Sequence, residues 1–265
     1  MIAAVLNTHL YDDVFEDTID SIKTYCTKDV LVLVDGCSWG QFEGKDDFAK
    51  MCGFKHGVSK SPFRNMALGM MQIWDMYPDK EWYLYCERDV LFGSSRFIPN
   101  LQMASDKDVW MMGFSGHVDE HNMPLVESML GEKLRGCYYL LGCCMFFHNN
   151  FMKKLDEINF FERFLNLTNS FSQGVFPSYG GYDINEHLYP TMCRHFGGNI
   201  GVFSSYEGNE WHGHYEYYPV RWQPSITEGY EKASILHPSK EICEARLFHQ
   251  KKRKEFVNEF SNMER

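Results

Sequence analysis

The sequence predicts a single α/β domain built on a mostly parallel central sheet with helices on both faces. Short apolar runs typical of buried strands alternate with segments that carry apolar residues at helical spacing. Three of the strand-like runs end in polar residues, as parallel strands do where a sheet opens toward a ligand. A length of 265 residues with 44% hydrophobic residues is enough for one large folded core.

In the first half of the chain, strands and helices are predicted to alternate. The predicted strands cover residues 2–6, 30–34, 82–86 and 109–114. Between the first two strands, Val14, Ile19, Ile22 and Tyr25 lie roughly on one helical face. A second helix is expected to start at Ser61-Pro62, an N-cap followed by a first-turn proline, and to end before Pro78.

The second half has a less regular pattern. A strand is predicted over 138–147, followed by a helix capped near Asn149 or Asn150. A glycine-bounded helix within 180–198 is expected to kink or end near Pro190. The aromatic and glycine-rich segment 204–224 is typical of a functional loop. A last helix is predicted from Ser239, and its expected docking residues are Ile242, Ala245, Phe248, Phe256 and Phe260.

Charge and composition exclude some classes of function. A net charge of −10 argues against a general nucleic-acid binder, which must neutralise a phosphate backbone. The basic run Lys251–Lys254 is best interpreted as a solvated helix face, with an anionic membrane surface or partner as the alternative. Since the N-terminus lacks a basic, long apolar leader, we expect a cytoplasmic protein, with peripheral membrane contact left open. Nine cysteines without a Cys-x-x-Cys pair indicate neither a disulfide framework nor a structural zinc site.

The most informative motif is Glu87-Arg88-Asp89, which interrupts two apolar runs. At the end of a buried strand, its two carboxylates can face a hard cation, which prefers oxygen ligands. Such a cation can neutralise a diphosphate and act as a Lewis acid for its departure. The alternative is a surface turn with a local ion pair.

The motif resembles a signature of a known enzyme family. A strand-end Glu-x-Asp downstream of two βα units is similar to the Asp-x-Asp motif of GT-A-type glycosyltransferases, which have a Rossmann-type fold and include family 2-like members. Four other places resemble the family in order along the chain, over roughly residues 1–240. They are Asp35 after the second strand, Arg64-Asn65 in "SPFRNMAL", Asp183 in "GGYDINEHL", and His237 with Lys240 in "ILHPSK". The chain departs from the family pattern in carrying Glu87 as the first acid and in lacking a paired Glu-Asp at Asp183, and no subfamily is assigned.

The resemblance implies a metal-dependent glycosyltransferase that moves a sugar from a nucleoside-diphosphate sugar, UDP-sugar favoured, to a glycan or other hydroxyl acceptor. The residues implied to bind the nucleotide are Thr8, Asp35, Arg64, Asn65, Glu87, Arg88 and Lys240. A Mn²⁺ or Mg²⁺ ion is implied to be held by Asp89 and His237, with Glu87 binding it through water or contacting the ribose. Asp183 is implied as the general base, and Trp211 and His212 as acceptor-stacking residues. Residues 1–115 would then form a nucleotide-binding half, 116–238 an acceptor and catalytic half, and 239–265 a C-terminal helix.

Other interpretations remain open. Asp35 before Gly36 is also typical of a turn, Asp183 of a helix cap, and His237 of an ordinary loop. Arg64-Asn65 would equally suit a solvated first helical turn. A non-catalytic carbohydrate-binding or scaffold protein is the main alternative function. A sugar-1-phosphate nucleotidyltransferase is disfavoured, because "NTHLYDDVFED" after the first strand is acidic and has no glycine with which to cradle phosphates.

Overall fold

The fold is built around a seven-stranded sheet. The computed structural model describes residues 1–55, 61–119, 127, 130–131, 133–134, 137–169, 184–203, 218–221 and 226–263. In chain order the strands are β1 (Ile2–Thr8), β2 (Val30–Val34), β3 (Ala49–Cys52), β4 (Trp82–Glu87), β5 (Leu91–Phe92), β6 (Val109–Gly113), β7 (His117–Asp119), β8 (Cys137–Tyr139), β9 (Cys144–His148), β10 (Asn199–Val202) and β11 (Ile235–Leu236). The helices are α1 (Asp13–Tyr25), α2 (Ser61–Met76), α3 (Ile98–Asp106), α4 (Asn149–Glu157), α5 (Phe160–Asn169), α6 (Ile184–His195) and α7 (Glu244–Met263).

The central sheet is mostly parallel, as predicted. Its strand order is β10-β6-β9-β4-β1-β2-β3, and only β9 runs antiparallel to its neighbours. Two small antiparallel ribbons, β5 with β11 and β7 with β8, lie outside it. All five residues of β2 are buried, since parallel strands are covered on both faces.

Two apolar layers cover the sheet, one on each face. Alternate residues of β1 enter opposite layers, Ala3 and Val5 on one side and Ala4 and Leu6 on the other. The first layer includes α2, α4, α5 and α6, and the second includes α1 and α3. The predicted α/β class with helices on both faces is therefore confirmed.

The predicted single strand over 138–147 is wrong. The structure has β8 and β9 instead, separated by residues 140–143. In that gap the backbone N–H groups of Leu140 and Gly142 donate to Glu186 of α6, so the chain leaves the ladder. The cap of α4 also differs from the expected asparagines, because the side chain of His148 accepts from the N–H of Asn150.

Pro190 does not end its helix. It lies inside α6, which continues to His195. Leu188 and Met192, on either side of the proline, are both fully buried. Burial of this face favours the helix even though proline removes one backbone hydrogen bond.

The last helix begins at Glu244 rather than Ser239, and its predicted docking residues are confirmed only in part. Ala245 is buried, and Phe256, although 37% exposed, packs against Tyr25 of α1 with the ring centres 5.7 Å apart. Ile242 and Phe248 are 37–38% exposed, and the side chain of Phe260 lies outside the described part of the chain. The buried docking face carries Arg246, His249 and Arg253 instead.

The two arginines of this face meet one carboxylate. Nη1 of Arg246 donates to Oδ2 of Asp17 at 2.7 Å, and Arg253 pairs with the other oxygen, Oδ1. Asp17 lies on α1 and is 4% exposed. The helix therefore docks through a buried ion network that apolar periodicity does not predict.

The basic run near the C-terminus is divided between surface and interior. Lys251 and Lys254 are exposed and Lys252 is partly exposed, whereas Arg253 is buried against Asp17. Contact with an anionic membrane surface stays a prediction, and the side chains accessible for it are those of Lys251, Lys252 and Lys254. Within the described residues, no helix has the length and apolar character needed to cross a bilayer.

We expect Asp17→Asn to lower the free energy of unfolding by about 3 kcal/mol, because two buried guanidinium groups would lose their counter-charge. Urea titration followed by circular dichroism measures it. Glu157→Gln is the control, since it removes an ion pair to Lys154 whose side chains are 42% and 58% exposed. It should change stability by less than about 0.5 kcal/mol. Equal effects of the two substitutions would contradict a structural role for the Asp17 network.

Candidate metal centre at the strand ends

The carboxyl ends of β1, β2 and β4 meet at one edge of the sheet. β1 pairs in parallel with both neighbours, placing Asn7 opposite Glu87 and Thr8 opposite Val34. The three polar strand ends, 7–9, Asp35 and 87–89, therefore lie together, as the sequence predicts. Ligands of open α/β sheets bind at this edge.

A tight turn directs the charged triplet out of the sheet. The N–H of Glu87 donates to the carbonyl of Cys143 at 2.9 Å, and the N–H of Val90 donates back to the carbonyl of Glu87 at 3.1 Å. Val90 is then fully buried again. The turn explains why charged residues separate two apolar runs, since residues 87–89 leave the sheet edge between them.

His237 reaches the same place from a distant part of the chain. It directly follows β11, which pairs antiparallel with β5 two residues beyond Asp89. Its Nε2 lies 3.3 Å from Oδ1 of Asp89, and its Nδ1 lies 2.7 Å from the carbonyl oxygen of Arg221. Because a carbonyl can only accept, Nδ1 carries the proton and Nε2 of the neutral ring has a lone pair facing Asp89.

Glu87, Asp89 and His237 form a set that could hold a cation. One ligand atom from each lies within 4.8 Å of the other two. Two carboxylates and an imidazole held by a backbone carbonyl are a donor set suited to a divalent ion. The Asp89 side chain is 14% exposed and that of His237 is 3% exposed, so the centre is largely shielded from water.

Asp89 and His237 shift each other's pKa in opposite directions. Burial favours the neutral forms of both, but the hydrogen bond and charge of His237 outweigh it and lower the pKa of Asp89. Likewise, the hydrogen bond and charge of Asp89, with the charge of Glu87, outweigh burial and raise the pKa of His237 above its ordinary 6.5. Without a metal, the charged His237 thus stabilises the fold below pH 6.5, and this contribution is lost as pH rises through the raised value.

Thr8 and Asp35 lie at the edge and shape its turns. The Thr8 hydroxyl donates to the carbonyl of Leu10 at 2.8 Å. Oδ1 of Asp35 accepts from the N–H of Cys37 at 2.8 Å, and the N–H of Asp35 donates to the carbonyl of Thr8 at 2.9 Å. Both residues are buried, with their backbones fixed at the strand ends.

Arg64 and Asn65 hold the segment after β3. Oδ1 of Asn65 accepts from the N–H of Phe54 at 2.8 Å. The guanidinium of Arg64 stacks 3.8 Å from the centre of the Phe54 ring, and its burial lowers the pKa of Arg64. The expectation of a solvated first helical turn is therefore wrong for Asn65, which is 1% exposed.

Two cationic side chains lie beside the metal set. Arg88 pairs with Asp12 at 2.5 Å, and Asp12 also caps α1 by accepting from the N–H of Phe15. Lys240 is exposed, and its charge contributes to lowering the pKa of Asp89. The alternative of a local ion pair within the triplet is not what the structure shows, because Arg88 pairs with Asp12, the N-cap of α1.

Asp183, Trp211 and His212 lie outside the described residues, and their predicted roles stay predictions. α6 begins at the residue after Asp183. Three residues beyond Asp183, Glu186 is buried and its Oε1 accepts from the N–H of Gly142 at 2.8 Å. Glu186 was not among the predicted site residues. The signal that could have identified it is its acidic side chain, one helical turn beyond Asp183.

The chain is similar in structure to several solved proteins, but it matches no protein family or curated protein in sequence. A glycosyltransferase involved in glycosylating the major capsid of PBCV-1 superposes with a TM-score of 0.45 at 14% identity, covering 96% of this chain and 98% of that one. A CMP:2-keto-3-deoxy-manno-octonic acid synthetase with CTP gives 0.40 at 11% identity over 76% and 88% of the two chains. A 4-diphosphocytidyl-2C-methyl-D-erythritol synthase from Anaerococcus prevotii gives 0.41 at 10% identity over 77% and 88%.

The first neighbour is named a glycosyltransferase, the second a synthetase and the third a synthase. Their TM-scores below 0.5 are too low to assign an activity or a substrate to this chain. The function must therefore be inferred from the site itself.

We expect Mn²⁺ binding to weaken by about tenfold per pH unit below the pKa of His237, because the ion and a proton compete for Nε2. Electron paramagnetic resonance of free Mn²⁺ at several pH values measures it. In His237→Gln, binding should be weaker and should lose this dependence. An unchanged pH dependence in that variant would show that another group is the competing base.

Proposed function

We propose that the protein is a metal-dependent glycosyltransferase acting on a nucleoside-diphosphate sugar, UDP-sugar favoured, with a glycan or other hydroxyl acceptor. The observation that carries the proposal is the convergence of Glu87, Asp89 and His237 at the edge where β1, β2 and β4 end. A cation at that edge suits a diphosphate, which needs its negative charge neutralised in order to bind and to leave.

The donor set favours Mn²⁺ over Mg²⁺. Mg²⁺ prefers an all-oxygen octahedral shell, whereas a nitrogen donor beside two carboxylates is accepted more readily by a transition ion. Asp89 and His237 would hold the ion directly, and Glu87 directly or through water. When bound, the ion supplies Lewis-acid stabilisation of the departing diphosphate.

The remaining nucleotide contacts are proposed from their place at the same edge. Thr8 and Asp35 end β1 and β2, and their hydrogen bonds fix the backbone beside which a base would lie. Arg64 and Asn65 hold the neighbouring segment after β3, and Arg88 and Lys240 supply positive charge beside the metal set. Such preorganised groups bind a ligand without a large ordering cost.

Asp183 is proposed as the general base that takes the proton of the acceptor hydroxyl. The first turn of α6 lies close to the metal turn, because Glu186 binds the N–H of Gly142 and the next residue, Cys143, accepts from the N–H of Glu87. A base entering this region from the start of α6 would face the donor. Trp211 and His212 are proposed to stack on the acceptor and to exclude water, since hydrolysis is the competing reaction.

The two other functions are less well supported. A nucleotidyltransferase needs a phosphate-binding loop after β1, but residues 9–12 contain no glycine, and Asp12 is used to cap α1 and to pair with Arg88. A carbohydrate-binding or scaffold protein does not require a carboxylate–imidazole set at this edge of the sheet. It stays the alternative outcome of the first test below.

We expect one nucleotide among UDP, GDP and CDP to stabilise the protein only when Mn²⁺ is present. At 100 times its dissociation constant the gain should be about 2.7 kcal/mol, measured as a shifted midpoint of thermal unfolding. Asp89→Asn should abolish the shift because a metal ligand is lost. Asp156→Asn, which changes an exposed aspartate on α4, is the control and should retain it. No shift with any nucleotide would favour the glycan-binding or scaffold function.

We expect Asp183→Asn to reduce sugar transfer by about 10²-fold or more while leaving Mn²⁺-dependent nucleotide binding intact, because only proton removal is lost. Release of the nucleoside diphosphate, measured with and without glycan acceptors, tests this. Glu157→Gln, an exposed change on α4, serves as the matched control. Retained transfer in Asp183→Asn would rule out Asp183 as the base.

A further inference from the structure

The buried Arg246 guanidinium contacts the chain segment of His237 directly and the segment of Glu87 and Asp89 through Thr18. Its Nε and Nη2 donate to the carbonyl of Ser239 at 2.9 and 2.7 Å. Its Nη1 donates to the hydroxyl of Thr18 at 3.1 Å and to Asp17 at 2.7 Å. Arg246 itself is 0% exposed, so each of these bonds is shielded from water.

Thr18 extends this contact to the metal turn. Its hydroxyl donates to the carbonyl of Arg88 at 2.6 Å, between Glu87 and Asp89. Thr18 is fully buried on α1. A chain of two hydrogen bonds therefore joins Arg246 to the backbone of the triplet.

Ser239 extends the contact to the histidine. It lies two residues after His237, and its N–H donates to the carbonyl of Asp89 at 2.9 Å. The carbonyl of Ser239 is the group that Arg246 holds with two of its nitrogens. Arg246 thus bonds directly to the segment of His237 and, through Thr18, to the segment of Asp89.

We infer that Arg246 is a positioning residue for the metal centre, setting the separation of His237 from Asp89 through Ser239 and Thr18. The inference rests on the proposed function in taking Glu87, Asp89 and His237 as the ligands of a divalent ion. A guanidinium is required because its planar fork supplies donors in three directions at once, which an ammonium or an apolar side chain does not. Groups that orient metal ligands typically change metal affinity by about 10–100-fold when they are removed.

Arg253 provides a matched control within the same network. It pairs with the other oxygen of Asp17 and is also buried, but among the described residues its side chain bonds to Asp17 alone. Arg246→Met and Arg253→Met each leave Asp17 with one arginine, so each removes one buried ion pair. Only Arg246→Met removes the contacts to Ser239 and Thr18.

The test measures the dissociation constant of Mn²⁺ by electron paramagnetic resonance, at a temperature at which circular dichroism shows every variant folded. Arg246→Met should bind Mn²⁺ at least about tenfold more weakly than the native protein, and Arg253→Met should bind it equally well. Thr18→Val, which keeps the shape of the side chain but removes the hydroxyl, should weaken Mn²⁺ binding as well. Thr18→Ser, which keeps the hydroxyl, should retain native Mn²⁺ binding. The Thr18 pair decides the question if Arg246→Met does not fold.

A metal-free readout accompanies the binding data. The ring resonances of His237 in the nuclear magnetic resonance spectrum should move in Arg246→Met and Thr18→Val but stay in place in Arg253→Met and Thr18→Ser. If the native protein binds Mn²⁺ and Arg246→Met or Thr18→Val binds it equally well, this inference is wrong while the proposed metal centre stands. Equal weakening of Mn²⁺ binding by the two arginine variants would have the same meaning. Absence of Mn²⁺ binding in the native protein would overturn the proposed metal centre, and this inference with it.

Discussion

The parallel pairing of β1 with both β2 and β4 is the constraint on which the rest of the site depends. Because Asn7 lies opposite Glu87 and Thr8 opposite Val34, three strands end within a residue of one another. A shift of one residue in either pair would move each side chain of the shifted strand to the opposite core layer, where it would not fit its packing neighbours. The same burial that stabilises the sheet therefore fixes where its polar ends meet.

The metal centre adds a second requirement, which is to hold His237 beside carboxylates that lie about 150 residues earlier in the chain. Pairing of β11 with β5 brings the histidine close, and the carbonyl of Arg221 sets its tautomer. Arg246 also bonds to Ser239 in the segment of His237 and to Thr18, whose hydroxyl bonds to the carbonyl of Arg88. A buried charge network costs desolvation energy, so its presence here is best explained by the geometry that it defines.

Several residues that are proposed to bind the nucleotide also have structural roles at the edge of the sheet. Asp35, Thr8 and Asn65 each satisfy backbone groups of turns beside the strand ends. These bonds do not preclude contact with a nucleotide, because carboxylate, hydroxyl and amide groups take part in more than one hydrogen bond. They instead limit the rotation of the side chains, and a ligand then meets groups that are already ordered.

The sequence by itself determined the strands β1, β2, β4 and β6, the helices α1 and α2 and the position of Glu87-Arg88-Asp89 at a strand end. These features depend on local periodicity and on turn and capping residues, which act over a few positions. The break between β8 and β9, the tautomer of His237 and the polar docking of α7 were decided only by the tertiary structure. Each depends on partners far apart in the chain, such as Asp17 and Arg246, which are separated by 229 residues. No local pattern encodes such a pair, because its energy exists only after the sheet has brought α1 and α7 together.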